Sequence, residues 1–435
     1  MSKISPIRTH RVTLDISLKL IQCLGIFDFD SPKIAMKILN AIIRVVNWII
    51  VIATLATMGA DVYINIKDLE AVTNDVGYLF PMLGILIKTF AVVQNQRSIR
   101  QLIEDIHFNI DNLRYSSDLG VLTKIRTTLF YQNFDYFAIA TILSGTVIAL
   151  TAMSAETDTK LALRGIFPYN TTVSPTYEIA FFMQFWTVFM SCLWILIIET
   201  SIIELIRWIN VQLVVLQANF QHCQNWQMPR ATFKMSKKNY DIIRNYKYFK
   251  VSDEQTLIQS YIPFNDDEAN VEKDSFALRY KTCLKHYRRI IDNVNKYNEL
   301  FSVLQFLTVF ITCSFVCLCL FQIVINKSNK AAVFKSSILL SAELSHLFYW
   351  CFFGNSLIEE TEMLHISQYN SGWESQLNKN ERHLVINSLI ESRCPLKITA
   401  GKFFVLSLAT YLKVIQNSYS YFAILNTVHS NDDDN

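Results

Sequence analysis

Glycine and charged side chains are scarce in this sequence. Of 435 residues only 10 are Gly, whereas 30 are Phe, a balance that argues against flexible or β-rich architectures. Charged residues make up 18% of the chain and hydrophobic residues 51%, although a soluble domain usually carries about 25% charge. The composition therefore predicts a single all-α domain embedded in a membrane.

Several sequence signals of other protein classes are absent. Residues 1–37 hold six Lys and Arg and no uninterrupted apolar run, so we expect no secretory signal. No P-loop, His-Glu-x-x-His or Gly-x-Ser-x-Gly motif occurs, and we expect neither an enzyme nor a cofactor nor a nucleic-acid partner. Cys313, Cys317 and Cys319 share one apolar stretch, where cysteine behaves as a small hydrophobe and no metal site is expected.

Seven apolar windows are long enough to cross a bilayer, which takes about 20 residues. The second and seventh windows are the weakest, because they contain Lys88 and Lys413, which either snorkel toward the cytoplasm or line water. The windows, numbered as spans one to seven, are Ile38–Gly59, Val76–Gln96, Gln132–Met153, Ile179–Ile203, Leu300–Ile325, Phe334–Asn355 and Phe403–Val428.

The distribution of Lys and Arg predicts the direction of the spans. With a cytoplasmic amino terminus, the short cytoplasmic segments carry 16 of these residues and the outer segments 5, while the long segment 204–299 adds 15. Every cysteine then lies in a span or on the cytoplasmic side, so no extracellular disulfide is expected. The sequon at Asn170 falls outside, where glycosylation is possible, and residues 429–435 form an extracellular tail.

The cytoplasmic segments are predicted to be partly helical. Within residues 1–37, the stretch from Thr13 to Phe27 is an amphipathic helix that lies on the membrane surface or packs on the protein itself. Segment 204–299 begins and ends with helical patterns that extend spans four and five into the cytoplasm. Between them, the polar insert at about 229–274 is typical of a loop or a partly disordered segment.

Glu343 and His346 lie one helical turn apart in span six. Ionisable residues inside a membrane are candidates for a functional role, although a neutral, hydrogen-bonded structural pair fits the same spacing. No acid–base constellation surrounds the two residues, which argues against a catalytic site.

The carboxy-terminal part of the chain carries a series of motifs. Cys351–Leu357 reads Cys-Phe-Phe-Gly-Asn-Ser-Leu, Tyr369–Trp373 reads Tyr-Asn-Ser-Gly-Trp, and Pro395, Ala400-Gly401 and Ser418–Phe422 follow. In this order and spacing they resemble an insect odorant receptor of the ligand-tuning type. The endings typical of insect gustatory receptors and of the shared co-receptor are absent, and the long insert differs from tuning receptors, which tend to be shorter.

This resemblance implies an odorant-gated, non-selective cation channel in the plasma membrane of olfactory neuron dendrites or cilia. It implies a heterotetramer with the co-receptor subunit and a small, volatile, apolar odorant as ligand. Residues 38–203 and 300–355 would form spans one to six, with the ligand among spans two, three, four and six. The cytoplasmic ends of spans four to seven, with segment 356–402, would form an anchor domain between subunits, and span seven, within 403–428, would line the pore.

Two alternatives stay open at this point. One is a gustatory-type receptor channel of insects. The other is a metabotropic seven-helix receptor, which is disfavoured because such receptors have an outer amino terminus. The chain also lacks Asp-Arg-Tyr after span three and Asn-Pro-x-x-Tyr in span seven.

The outer halves of four spans offer aromatic and apolar walls with a hydroxyl group, which suit a small apolar ligand. The same side chains would also suit ordinary packing or lipid-interface positions. The expected ligand-binding residues are Tyr78, Leu79 and Met82 in span two, Ile148 and Thr151 in span three, Phe182, Met183, Phe185 and Trp186 in span four, and Ile338, Leu339 and Ala342 in span six.

Tyr419, Phe422 and Asn426 repeat every three to four residues on one face of span seven. We expect Phe422 and Asn426 to face the pore and Leu425 to lie near its constriction. An apolar ring closes a pore by excluding water, and its displacement admits water and ions. Asn426 would make this subunit's contribution more polar than an all-apolar ring.

Overall fold

The computed structural model describes residues 21–27, 34–154, 161, 163–224, 229–245, 257–326, 329–376 and 378–433. Seven helices in these residues are 26 to 50 residues long. They are α1 (Ile34–Ile64), α2 (Leu69–Gln94), α4 (Leu119–Ser154), α5 (Thr176–Gln221), α8 (Phe276–Ile325), α9 (Lys330–Tyr369) and α11 (Leu408–Asp433).

Shorter elements connect the long helices. A two-stranded antiparallel hairpin precedes α11, and a 3-10 turn at Trp373–Ser375 follows α9. The remaining elements are α3 (Gln96–Leu113), α6 (Lys237–Arg244), α7 (Asp266–Ala269), α10 (Lys379–Glu391), β1 (Thr399–Ala400) and β2 (Phe404–Val405).

Four of the described helices are long and apolar enough to cross a membrane: Ile34–Ile64, Ala71–Gln94, Thr176–Gln221 and Phe276–Ile325. They contain the first span, most of the second, and the fourth and fifth. The third and sixth predicted spans lie within α4 and α9, and most of the seventh lies within α11. The count of seven spans and the cytoplasmic amino terminus stay predictions.

The helices α5 and α8 form the centre of the bundle. α9 packs against both of them, α2 and α11 pack against α8, and α4 packs against α5. Trp194 and Trp208 of α5, Phe301 of α8 and Trp350 of α9 are among the largest fully buried side chains. Ser275 begins α8 by accepting a hydrogen bond from the Leu278 backbone N–H at 3.2 Å, which satisfies a donor that the first helical turn leaves free.

The described parts of the insert at 229–274 are packed against the helices. Tyr261, Ile262 and Phe264 are at most 1% exposed. The Asn219 side chain of α5 binds the Ile262 backbone at both ends, donating to its carbonyl at 2.8 Å and accepting from its N–H at 2.7 Å. The polar composition of the insert predicted a loop, but did not predict this docking, because three apolar residues are enough to anchor it.

An ion-pair cluster holds the end of the insert beside α8. Asp274 accepts hydrogen bonds from Arg230 at 2.7 and 2.9 Å and from Arg279 at 2.9 Å. Burial alone would raise the pKa of Asp274, but these two guanidinium groups lower the pKa to about 2. The carboxylate therefore stays charged throughout the physiological range and forms ion pairs with both arginines.

The hairpin before α11 depends on Gly401. This residue has φ +61°, a left-handed conformation that glycine adopts without steric cost. Its N–H donates to the Ser302 carbonyl of α8 at 2.7 Å, and the Ser302 hydroxyl donates to the Gly401 carbonyl at 2.9 Å. The Ala400-Gly401 motif thus fixes the start of α11 to the middle of α8.

Only part of the predicted amino-terminal amphipathic helix is described. Residues 13–20 lie outside the described residues, whereas Ile21–Cys23 are helical and Ile26 and Phe27 are 1% exposed. Asn40 of α1 donates to the Phe27 carbonyl at 2.7 Å, and Arg44 donates to the Gly25 carbonyl at 2.6 Å. This end of the segment packs against the protein itself.

Candidate functional site

A cavity of about 350 Å³ lies within the helix bundle. Its walls come from α2, α4, α5, α8 and α9, so five long helices meet around one space. A volume of this size lies at the lower end of the range for small-molecule sites. The apolar part of the wall consists of Pro81, Ile85, Phe134, Ala138, Ile139, Ile142, Leu143, Ile195, Ile311 and Ala342.

An ion pair between α2 and α5 lines this cavity. The Nζ atom of Lys88 lies 2.5 Å from Oε1 of Glu199. The two residues are 7% and 3% exposed, so each charge depends on the other for compensation in a medium of low polarity. Of the two predicted alternatives for Lys88, snorkelling is not seen, because this lysine is buried against a carboxylate. Lys88 lines the cavity, and contact with water there stays a prediction.

Glu343 and His346 of α9 also line the cavity. The Thr312 hydroxyl of α8 donates to Oε1 of Glu343 at 2.6 Å. His346 lies between two carboxylates, with Nδ1 3.8 Å from Oε1 of Glu343 and Nε2 3.7 Å from Oε2 of Glu199. The pair that the sequence singled out is therefore joined to Glu199 in one polar cluster.

His346 has a third contact, with Trp350. The indole Nε1–H of Trp350 donates to Nε2 of His346 at 3.2 Å. With one carboxylate facing each ring nitrogen, the imidazole lies where a positive charge would be compensated.

A second ion pair lies beside the cavity, on the side of α4. Asp135 of α4 binds Arg207 of α5, and the Arg207 guanidinium lies 4.8 Å from the ring centroid of Phe353. Asp135 and Tyr349 also line a second cavity of about 530 Å³, which extends toward Lys124 and Glu360. Asp135 and Tyr349 therefore line both cavities.

The predicted ligand-binding residues fall at several distances from the first cavity. Ala342 lines it. Met82 is 8% exposed and follows Pro81, which lines the cavity, and Leu79 packs against the core. Tyr78 stacks under Lys335, whose Nζ lies 4.7 Å from the ring centroid. Ile338 and Leu339 are half-buried on α9, away from the cavity wall.

The predicted residues of α4 and α5 lie away from the cavity. Ile148 is 66% exposed and Phe182 54% exposed. Trp186 donates to Oδ1 of Asn47 at 3.1 Å, and the Met183 carbonyl accepts from Thr187 at 2.8 Å. Phe185 stacks on Phe189 with ring centroids 6.2 Å apart. The side chain of Thr151 lies outside the described part of the structure.

The lining residues that sequence reasoning missed include charged ones. Glu199 lies within span four and Asp135 within span three, yet neither was singled out. Ionisable side chains inside apolar windows are the signal that identified Lys88, Glu343 and His346, and the same signal applied to every span finds Glu199 and Asp135 as well.

The predicted pore residues lie along one side of α11. The rings of Tyr419 and Phe422 are 5.9 Å apart; Tyr419 is 64% exposed, while Phe422 and Asn426 are half-buried. The adjacent face packs on α8, where the fully buried Ser418 hydroxyl lies 3.3 Å from the Cys313 carbonyl. The side chain of Leu425 lies outside the described residues. Lys413, predicted either to snorkel toward the cytoplasm or to line water, is exposed.

The predicted glycosylation site lies in an exposed turn. Asn170 and Thr172 are both exposed, and Oδ1 of Asn170 accepts hydrogen bonds from the Thr172 N–H at 2.9 Å and hydroxyl at 2.8 Å. The side chain is accessible, and modification of it stays a prediction.

Comparison with known proteins places the chain among chemosensory receptors. A family model described as 7tm odorant receptor matches residues 68–419. Odorant receptor 67c of Drosophila melanogaster is 29% identical over 168 residues, covering 38% of this chain and 39% of the relative. Odorant receptor 10 of Aedes albopictus is 23% identical over 177 residues, covering 40% of this chain and 46% of the relative. The chain thus matches less than half the length of each of these relatives.

Solved structures show the same fold. The insect olfactory receptor OR5 from Machilis hrabei, determined in complex with eugenol, superposes with a TM-score of 0.73 at 13% sequence identity. The alignment covers 96% of this chain and 98% of that receptor. At this identity the likeness establishes the fold, while the family model covers most of the chain. The chain therefore belongs to the 7tm odorant receptor family of insects.

Proposed function

We propose that this chain is the ligand-binding subunit of an odorant-gated, non-selective cation channel in the plasma membrane of olfactory neurons. The observation that carries the proposal is the largely apolar cavity among five helices in a chain of the odorant receptor family. The relative OR5 from Machilis hrabei is described with eugenol bound, which supports a small organic ligand for the shared fold. The carboxy-terminal motif typical of the co-receptor is absent from this sequence, which supports a tuning subunit that assembles with the co-receptor.

The proposed topology places the amino terminus in the cytoplasm and residues 429–435 outside. Seven spans then cross the membrane, and residues 204–299 and 356–402 form the cytoplasmic anchor between subunits. The excess of Lys and Arg on that side supports this direction, and the sequon at Asn170, which is exposed, would then lie outside. A tag after Asn435 that labels only permeabilised cells would contradict it.

The proposed ligand pocket is centred on the cavity at Ala342. The predicted residues Tyr78, Leu79 and Met82 extend it by about one turn along α2 from Pro81. Ligand binding opens the channel only to the extent that the open state binds the ligand better than the closed state. A preference of about 100-fold corresponds to about 2.8 kcal/mol.

The proposed pore runs along the side of α11 that carries Tyr419, Phe422 and Asn426. The exposed ring of Tyr419 supports this proposal, because a side chain that faces a central pore is not covered by the helices of its own subunit. The hairpin at Gly401 and the contact of Ser418 with α8 hold the adjacent face in place.

Whole-cell recording in cells that express the chain with and without the co-receptor tests the function. We expect fast cation currents during odorant application that persist when G proteins are blocked, and that require both subunits. Currents that disappear when G-protein signalling is blocked would reject the channel and favour a metabotropic receptor. Currents of normal size without the co-receptor would reject the heteromeric assembly.

A further inference from the structure

The charged side chains of the first cavity compensate one another. Lys88 binds Glu199 with Nζ 2.5 Å from Oε1. His346 lies between two carboxylates, 3.7 Å from Glu199 and 3.8 Å from Glu343, so its positive charge is compensated on both sides. These four groups then carry two positive and two negative charges. A ligand with a net charge would add an uncompensated charge in a medium of low polarity, which is costly, so the balance favours a neutral ligand.

The hydroxyl groups of the described cavity wall have no proton to spare. Thr308 and Ser345 each donate to the backbone carbonyl four residues earlier, at 2.9 and 2.8 Å. The Tyr349 hydroxyl is hydrogen-bonded to Asp135, which also binds Arg207. A hydroxyl group has one proton to donate, so none of these three groups offers a free donor to a ligand.

Lys88 differs from these hydroxyl groups, because an ammonium group carries three N–H donors. Among the described residues, Oε1 of Glu199 is the only acceptor that Nζ of Lys88 contacts. Lys88 is 7% exposed, so the surrounding solvent hardly reaches its remaining donors. A buried donor without an acceptor is unfavourable. The cavity therefore presents unused N–H donors at one point of a largely apolar wall.

We propose that this cavity binds neutral molecules with an acceptor oxygen, such as ketones and esters, and that Lys88 donates a hydrogen bond to this oxygen. A carbonyl oxygen has two lone pairs and no proton, so it accepts from Lys88 without needing a further partner. The apolar body of the ligand lies against Ile85, Ile142, Ile195 and Ile311. This assignment rests on the proposed ligand-binding function and specifies the ligand class and the residue that selects it.

Three other ligand classes fit these groups less well. A hydrocarbon leaves the free donors of Lys88 unused. An alkylammonium ion has no lone pair to accept from Lys88, and a carboxylate would add a third negative charge beside Glu199 and Glu343. A hydrogen bond from an ammonium group to a neutral oxygen is charge-assisted and about twice as strong as one between neutral groups. The oxygen therefore contributes to affinity as well as to orientation.

Thermal unfolding of the purified full-length chain in lipid nanodiscs tests the ligand class. The probes are cyclohexanone and cyclooctanone, each compared with the hydrocarbon in which a methylene group replaces the carbonyl oxygen at nearly the same shape. We expect each ketone to raise the unfolding temperature at a concentration about tenfold below that of its hydrocarbon, because the hydrocarbon lacks a hydrogen bond to a charged group. Empty nanodiscs correct the concentrations for partition into lipid.

The charged analogues complete this experiment. Cyclohexylamine and cyclohexanecarboxylate should give no shift at the concentration at which cyclohexanone acts, because each would disturb the charge balance of the cavity. Equal shifts from ketone and hydrocarbon in the wild type, or a stronger shift from either charged analogue, would overturn the assignment.

The double variant Lys88→Met/Glu199→Gln removes the donor together with its carboxylate, so neither charge of this pair is left alone. We expect it to lose the preference for ketone over hydrocarbon while it binds the hydrocarbon as before. Lys296→Met/Asp105→Asn is the matched control, because it removes an ion pair of 2.8 Å on the surface between α8 and α3. The control should keep the preference, and an unchanged preference in the cavity variant would contradict the role of Lys88.

Infrared spectroscopy measures the hydrogen bond itself and needs only the wild type. Isotope-edited difference spectra isolate the C=O stretching band of cyclohexanone bound to the protein. We expect this band at a lower frequency than in a hydrocarbon solvent, because a hydrogen bond from an ammonium group weakens the C=O bond. A bound ketone whose band matches that in the hydrocarbon solvent would show that Lys88 does not donate to it.

Neither measurement needs a current, so this inference and the channel proposal can fail separately. A chain that prefers ketones to their hydrocarbons but never conducts supports the ligand class and contradicts the channel. A chain that conducts in response to odorants, with no preference for ketones over their hydrocarbons, contradicts the ligand class and supports the channel.

Discussion

Gly354 of α9 lies directly against the backbone of Leu406, the residue after the hairpin that leads into α11. A Cβ atom at Gly354 would overlap the Leu406 carbonyl oxygen and approach the Leu406 Cβ within 2.8 Å. Only a residue without a side chain lets α9 and the hairpin come this close. The glycine of the Phe-Phe-Gly-Asn motif is therefore explained by helix-to-hairpin packing.

The variant Gly354→Ala should be destabilised by about 1–3 kcal/mol, the usual effect of overpacking a tight contact. The measurement is the unfolding temperature of the purified protein, together with the amount that reaches the cell surface. Gly59→Ala is the matched control, because Gly59 lies in α1 with no atom within 4 Å of an added Cβ. An unfolding temperature in Gly354→Ala equal to that of the control would contradict the packing argument.

The variant Ala342→Leu should obstruct the proposed ligand pocket. Ala342 lines the cavity, and the larger side chain would occupy space that a ligand needs. We expect the odorant concentration for half-maximal current to rise by about tenfold or more, with ion selectivity unchanged. Ala56→Leu, on an exposed position of α1, should respond as wild type. Normal responses in Ala342→Leu would show that the odorant does not bind in this cavity.

Tyr419→Ala should alter permeation if α11 lines the pore on the proposed side. We expect changed rectification, relative ion permeability or blocker sensitivity, because the substitution removes an aromatic ring from the wall of the conducting path. Tyr421→Ala is the matched control: Tyr421 is 57% exposed and points to the opposite side of the helix, two residues further along. A larger effect at Tyr421 than at Tyr419 would show that the Tyr421 side of α11 faces the pore, which contradicts the proposed orientation.

Stability should fall as the pH decreases below neutral, because of His107 in α3. Burial, and to a smaller extent Arg114, lowers the pKa of His107 from 6.5 to about 3. Below pH 6.5 the unfolded chain gains a proton that the folded chain does not, so acid favours unfolding down to about pH 3. Each pH unit of decrease in this window lowers the free energy of unfolding by about 1.4 kcal/mol, because unfolding takes up one proton.

The variant His107→Phe provides the test of this pH dependence. It retains a ring near Trp208, whose centroid lies 6.0 Å from that of His107, and it removes the titrating group. The unfolding temperature of the variant should decline less steeply between pH 6.5 and pH 5 than that of the wild type. An equal decline of the unfolding temperature with pH in the two proteins would show that His107 does not cause the acid sensitivity.

Hydropathy and spacing alone predict the long helices well, because a stretch apolar enough for a bilayer is also a strong helix pattern when it is this long. The rotation of each helix is not predicted in the same way. Phe182 and Ile148 were chosen by their depth along a span, yet both are largely exposed. Which side of a helix faces a cavity depends on its neighbours, and one sequence does not specify those contacts.

Charged residues inside apolar windows were the more reliable guide to the cavity. Lys88, Glu343 and His346 were noted for this reason and all three line it. Their partner Glu199 lies 111 residues from Lys88 along the chain, so the pairing itself is visible only once the helices are packed. The docking of the insert through Ile262 was missed for the same reason.

The unbroken course of α8 has a mechanical consequence. A helix of 50 residues is about 75 Å long, more than twice the thickness of the hydrocarbon layer. It carries Ile311 in the cavity wall, Ser302 under the hairpin and Tyr280 against Ser388 of α10, with hydroxyl oxygens 2.5 Å apart. Because α8 is continuous, a tilt of the helix at the cavity would move two contacts together: Ser302 with the hairpin before α11 and, farther along, Tyr280 with α10.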